Sequence, residues 1–180
     1  MTTPTASPHF VPGLANIVAA QTRLSSVHGL EGELIIAGFP LEEIASRATF
    51  EEMVYLLWND ALPTVAQLAN LRQALAAQLV LHPATLDVLR AAAGRGLPVM
   101  DALALAAGTL NLDLVKTDPQ QQAIAVLARF PVIVASYVRL LKNKMPLTPR
   151  DDLSHAANYL FMLTGESPGA EQVRALETYL

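Results

Sequence analysis

Thr49 to Thr64, T-F-E-E-M-V-Y-L-L-W-N-D-A-L-P-T, restricts the fold more than any other stretch of this chain. Thr49 and Glu52 have the spacing of a capping box, in which hydroxyl and carboxylate satisfy backbone donors at a helix start. Phe50, Met53, Val54 and Leu57 follow at helical spacing, while Tyr55, Leu56 and Trp58 make the opposite side apolar as well. A helix apolar on two sides belongs in a core, covered by several neighbours. Asn59-Asp60 and Pro63 end it, because proline disfavours the α conformation in the residue before it. Thr64 and Gln67 then repeat the capping signature, giving helix, short turn, helix.

The rest of the pattern is also helical. Strand character is confined to Thr22–Val27 and Glu33–Ala37, around the turn His28-Gly29-Leu30-Glu31-Gly32, which predicts a small hairpin. Gly38 and Pro40 close it, and a short helix is expected over Leu41–Ser46. Leu68, Leu71, Leu75 and Leu79 form one stripe of a helix from about Val65 to Leu81, ended by His82-Pro83. Ala84–Ala93 is stopped by Gly94-Arg95-Gly96. Pro98 opens a helix with Val99, Leu103, Ala106 and Leu110 inward. Asp118-Pro119 starts another that runs to about Lys142 and is kinked at Pro131. Asp151 or Asp152 is the expected cap of the helix carrying Leu153, Ala156, Ala157, Leu160 and Leu163. Glu171–Leu180 is the last, with Val173, Leu176 and Leu180 on its apolar stripe. The expected architecture is one mainly α unit over residues 14–180 with a small N-terminal β-hairpin, preceded by a Pro-rich flexible or extended arm over residues 1–13.

Composition narrows the function classes. A chain of 180 residues can bury a core without staples, and with 0 cysteines it has no disulfide, iron–sulfur or thiolate zinc chemistry. A net charge of -4 without a basic run argues against nucleic acid as a partner. Arg129, Pro131 and Arg139 interrupt the most apolar segment, so a membrane span is not expected. Charged residues are 16% and apolar residues 52%, which implies apolar surface facing another chain, a second copy included. The expected location is cytoplasmic.

Chemistry is hard to find in these residues. His9, His28, His82 and His155 are scattered, and only His155 has carboxylates, Asp151 and Asp152, at helical spacing; capping accounts for those better than a metal does. Glu42-Glu43 and Glu51-Glu52 fall in first helical turns, where the helix dipole favours carboxylates. Asp101 is a lone helical acid with no sign of a raised pKa. Gly94-Arg95-Gly96 is too short to cradle a phosphate, and Tyr55 and Trp58 read as core. No catalytic, cofactor-binding or metal-binding residue is assigned.

Four segments in order carry a family resemblance. G-L-E-G-E-L-I-I-A-G-F-P-L-E-E-I-A at Gly29–Ala45, F-E-E-x-x-Y-L-L-W-N-x-x-L-P, L-A-R-F-P-V-I-V-A-S-Y at Leu127–Tyr137 and S-H-A-A-N-Y-L-F-M-L-T-G-E-S-P at Ser154–Pro168 resemble the citrate synthases. The resemblance covers the N-terminal part of that family's large domain. It implies a mostly helical, dimeric, metal-free enzyme that condenses acetyl-CoA, its co-substrate, with oxaloacetate to give citrate and CoA. In that family a carboxylate takes the methyl proton, histidines stabilise the enolate and polarise the carbonyl, and arginines hold the oxaloacetate carboxylates. Their motifs, H-A-D-H-G-x-N, G-P-L-H-G-G-A-N and G-H-R-V-Y-x-x-x-D-P-R, do not occur here, and the first is expected a few residues after Leu180. The chain also departs from the family at Ala37, where Y-R-G-Y has arginine, and along Pro98–Ala104, where H-P-M-D-x-L-R loses its histidine and arginine. The resemblance therefore implies an N-terminal portion inactive alone, partnered by a second copy or by the segment carrying those motifs. The alternatives are a non-catalytic assembly or regulatory subunit of the same family and a piece of a 2-methylcitrate synthase.

Overall fold

The computed structural model describes residues 18, 20–114 and 118–180. The arm expected over residues 1–13, His9 included, lies outside them. Three short strands come first: β1 (Ser25–His28), β2 (Glu33–Ile36) and β3 (Phe39–Pro40), antiparallel in the order β1-β2-β3. The third strand goes beyond the expected hairpin. Its turn, Ala37-Gly38, joins Ile36 to its partner Phe39 with φ angles of 48° and 90°, the two positive values a type I′ hairpin demands. Glycine takes such a φ without steric cost, whereas a Cβ at Ala37 is strained there. Ala37→Gly should therefore raise stability by about 1 kcal/mol, read as a higher urea midpoint; a lower midpoint would refute the turn assignment.

The helices follow as α1 (Leu41–Ala45), α2 (Phe50–Asn59), α3 (Val65–Ala76), α4 (Pro83–Gly94), α5 (Val99–Gly108), α6 (Asn111–Leu114), α7 (Pro119–Leu141), α8 (His155–Thr164) and α9 (Ala170–Tyr179). Both capping boxes form: Thr49 N–H donates to Glu52 Oε2 at 2.7 Å and Thr64 N–H to Gln67 Oε1 at 2.8 Å. Asp118 caps α7 through the N–H groups of Gln120 and Gln121, with Pro119 in the first turn.

α7 is the spine, packed by α3, α4, α5 and α8. Its residues Ala125, Val132, Ile133, Ala135 and Tyr137 join Leu89 and Ala92 of α4, Ala102 and Ala106 of α5 and Met162 of α8 in the larger core. Ala128, on another side, meets Val54 of α2 and Leu71 and Leu75 of α3. Small residues on α5 and α7 let the backbones approach closely, and Tyr137 reaches across to donate to the Leu97 carbonyl at 2.5 Å. By length and composition α7 is apolar enough to reach across a membrane, contrary to the sequence expectation. Its burial explains the composition. The helix carries Arg129, only 7% exposed, with partners inside the protein, as befits a core helix.

Several local expectations change. α3 stops at Ala76 instead of Leu81, because the following turn gives the Gln78 carbonyl to Arg129 Nε at 3.1 Å. Val99 is 40% exposed, and the buried stripe of α5 is Ala102 and Ala106. Trp58, expected in the core, is 36% exposed at the end of α2. The cap of α8 is Ser154, whose Oγ accepts from Ala157 N–H, while Asp152 pairs with Arg150.

Candidate functional site

The best-formed cavity, about 200 Å³, lies where α2, α3, α7 and α8 converge, and its wall includes Glu51, Arg72, His155 and Asn158. Glu51 enters it because the capping box at Thr49–Glu52 fixes the first turn of α2 and turns the neighbouring carboxylate inward. Its side chain is 2% exposed. Glu51 Oε1 accepts from the His155 backbone N–H at 3.0 Å, so a carboxylate from α2 caps a free donor at the start of α8. Arg72 Nε stands 3.7 Å from the same oxygen, an ion pair longer than a hydrogen bond. Glu51 Oε2 is buried and has no hydrogen-bond partner among the described residues.

The His155 ring stacks on Phe50 with centroids 4.1 Å apart. Burial lowers its pKa below the ordinary histidine value, an effect partly opposed by the Glu51 charge. Asn158 is engaged at both ends: its Oδ1 accepts from Arg150 N–H and its Nδ2 donates to the Arg150 carbonyl, tying the loop before α8 to the helix. At the rim, the hydrogen bond from Arg150 holds the Asp152 carboxyl below the usual carboxylate range. The cavity is thus lined by the carboxylates of Glu51, Asp151 and Asp152, one guanidinium and one imidazole; Glu51 joins α2 to α8, the His155 ring stacks on Phe50 and Asp152 pairs with Arg150. It supplies no nucleophile with an adjacent base.

Other sequence candidates lie apart from this cavity. His28 Nδ1 is 2.9 Å from Glu33 Oε2 across the β1–β2 pair, and His82 caps α4 by accepting from Ala84 N–H at 3.1 Å. Glu42 and Glu43 sit exposed in the first turn of α1, and Asp101 is exposed in the first turn of α5. Gly94-Arg95-Gly96 ends α4, with Gly96 at φ 63°. Of the Glu51-Glu52 pair, Glu52 acts in capping as the pattern suggests. The deep burial of Glu51 was missed, because the donor that draws it inward belongs to a residue 104 positions away.

The arrangement is a scaffold, and comparison with other proteins identifies which one. Residues 13–180 match the family model described as citrate synthase, C-terminal domain. A citrate synthase of Acidithiobacillus ferridurans is 32% identical over 97% of this chain and 48% of its own length. A 2-methylcitrate synthase of Mycobacterium tuberculosis is 32% identical over 98% of the chain and 46% of its own length. Among solved structures, the citrate synthase from Pyrobaculum aerophilum superposes with a TM-score of 0.83 at 29% identity, covering 97% of this chain and 47% of that one. The chain spans about half the length of the relatives it matches. With the helical framework, its order and these relatives in agreement, the chain belongs to the citrate synthase family.

Proposed function

We propose that the chain is the N-terminal portion of a citrate synthase large domain, supplying framework for the condensation of acetyl-CoA with oxaloacetate and carrying no catalytic residue itself. The observation behind this reading is a family match that runs over residues 13–180 yet corresponds to less than half of the relatives, with the family's catalytic motifs absent from the sequence. Its partners in this reading are the segment bearing those motifs and a second copy. Exposed Met100 and Leu105 on α5 and Val65 on α3 give such partners apolar surface to cover. The reading places the protein in the cytoplasm, with no resident metal or cofactor beyond acetyl-CoA as co-substrate.

Thiol release from acetyl-CoA in the presence of oxaloacetate tests it. The purified chain alone is expected to show none, and activity is expected on adding the separately expressed C-terminal half of a close relative. Turnover by the chain alone would overturn the assignment of catalysis to the other half. Replacing acetyl-CoA with propionyl-CoA in the complemented mixture separates citrate from 2-methylcitrate synthesis.

The family departures favour a second reading, a non-catalytic partner subunit. Ala37 lies in the β2–β3 turn, Pro98 stands at the N-cap of α5 and Ala104 is exposed on it, so none of these three positions carries the polar side chain the family has there. Failure of complementation together with stable binding to a complete citrate synthase would support that alternative.

A further inference from the structure

Among the described residues, Glu51 Oε2 is the buried side-chain polar atom without a hydrogen-bond partner. The side chain is 2% exposed, and Oε1 is committed to the His155 N–H, so the carboxylate keeps one acceptor unused. A buried acceptor in this state is costly, more so when charged, and calls for a donor from elsewhere.

The cavity that Glu51 lines has room for one. Its volume of about 200 Å³ is many times the roughly 15 Å³ that a single water needs. Leu75, Leu79, Ala128, Pro131 and Met162 give it an apolar wall, while Asp151 and Asp152 stand exposed at its rim. A surface groove along Arg72, Gln73 and Ala76 shares Arg72, Ala76 and Asp151 with the cavity, which places the mouth between α3 and the turn before α8.

We propose that this cavity binds a primary alkylammonium ion, whose nitrogen donates to Glu51 Oε2 and whose stem lies along the apolar wall. The lining selects that class of ligand. A carboxylate is bonded most strongly by a donor that also carries positive charge. Guanidinium prefers to fork onto both carboxylate oxygens, and Oε1 is taken, whereas a compact ammonium needs a single acceptor. The same restriction accounts for Arg72, which stands 3.7 Å from Oε1 and outside hydrogen-bond reach. Its side chain is 44% exposed and fixed by no hydrogen bond among the described residues, so an entering cation can displace it. A divalent cation would require several converging oxygens, and among the described residues no group of three or more His, Cys, Asp or Glu is placed to supply them. The acidic rim draws cations toward the mouth, and the apolar wall accepts an aliphatic stem as it would that of a lysine.

Such an ion reaches the cavity as a free amine or as a lysine side chain of another polypeptide. Titration of the isotope-labelled chain with n-butylammonium chloride at constant ionic strength, followed by NMR, tests for it. Saturable shifts are expected at the amides of Glu51, Arg72, Ala76 and residues 151–158. n-Butanol should bind at least about tenfold more weakly, and n-propylguanidinium more weakly than n-butylammonium. Glu51→Gln keeps an oxygen for the His155 N–H and turns an amide toward the ligand, so it should weaken butylammonium binding at least about tenfold. Ala76→Met narrows the mouth with Glu51 in place; it should weaken binding too, and it decides the matter if Glu51→Gln does not fold. Nα-acetyl-lysine methylamide separates the sources: its binding shows that a lysine on a peptide backbone reaches Oε2, and binding of butylammonium alone restricts the site to free amines. Absence of saturable shifts, equal binding of n-butanol, unchanged affinity in Glu51→Gln or in Ala76→Met, or tighter binding of n-propylguanidinium overturns the proposal.

Discussion

Leu89→Ala lowers the unfolding free energy by about 3–4 kcal/mol, with a lower urea midpoint and an unchanged slope of the transition. Leu89 is 0% exposed, on the face of α4 that packs against both α5 and α7. Its neighbours in the core include Ala92, Ala102, Ala106 and Ala135. Alanines have no side chain with which to move into a vacated space, so the site collapses poorly and the cost falls toward the upper part of the range for such truncations. Leu89→Met keeps the volume and should cost less than about 1.5 kcal/mol. A loss below about 1.5 kcal/mol for the alanine variant would mean that α4 shifts to fill the gap, and would contradict the close packing of the three helices.

What sequence reasoning could reach divides along physical lines. Thr49-Glu52, Thr64-Gln67 and Asp118-Pro119 were readable because each cap is closed by atoms within three residues, so the pattern contains the whole interaction. The two-residue sheet extension at Phe39–Pro40 was hidden because Ala37 is an unfavourable residue for the positive φ it adopts. The pattern points to Asp151 or Asp152 as the cap of α8, whereas in the structure Asp152 pairs with Arg150 and Ser154 Oγ takes the cap by accepting from Ala157 N–H. Trp58 fits the apolar pattern of α2 but lies in its last turn, where it stays 36% exposed. The cavity was the least legible part. Glu51, Arg72 and His155 come from three helices, and their charges are indistinguishable from ordinary first-turn and surface charges until the helices meet. Family membership was legible for a different reason: segments of framework in order identify a fold even where the chemistry lies in other residues.

Arg129→Ala is the second large effect, about 3–5 kcal/mol in the same denaturation experiment. Arg129 Nε donates to the Gln78 carbonyl, one terminal nitrogen to Gln78 Oε1 at 3.2 Å and the other to Asp113 Oδ2 at 3.1 Å. One side chain on α7 thus anchors the turn after α3 and the short helix α6. Alanine removes the cation and its stem together, leaving the Gln78 carbonyl without this donor and Asp113, only 35% exposed, without its counter-charge. Arg129→Met retains most of the packing and no longer requires a guanidinium to be desolvated, so its loss should be about half that of alanine. Asp113→Asn keeps an acceptor near Arg129 and removes only the charge; because Asp113 is partly solvated, about 1 kcal/mol is expected. The order alanine, methionine, then Asp113→Asn distinguishes a buried hydrogen-bonded anchor from a plain ion pair: equal losses for Arg129→Ala and Asp113→Asn would show that the charge pair, not the bonds to Gln78, holds α6 and the α3 turn against α7.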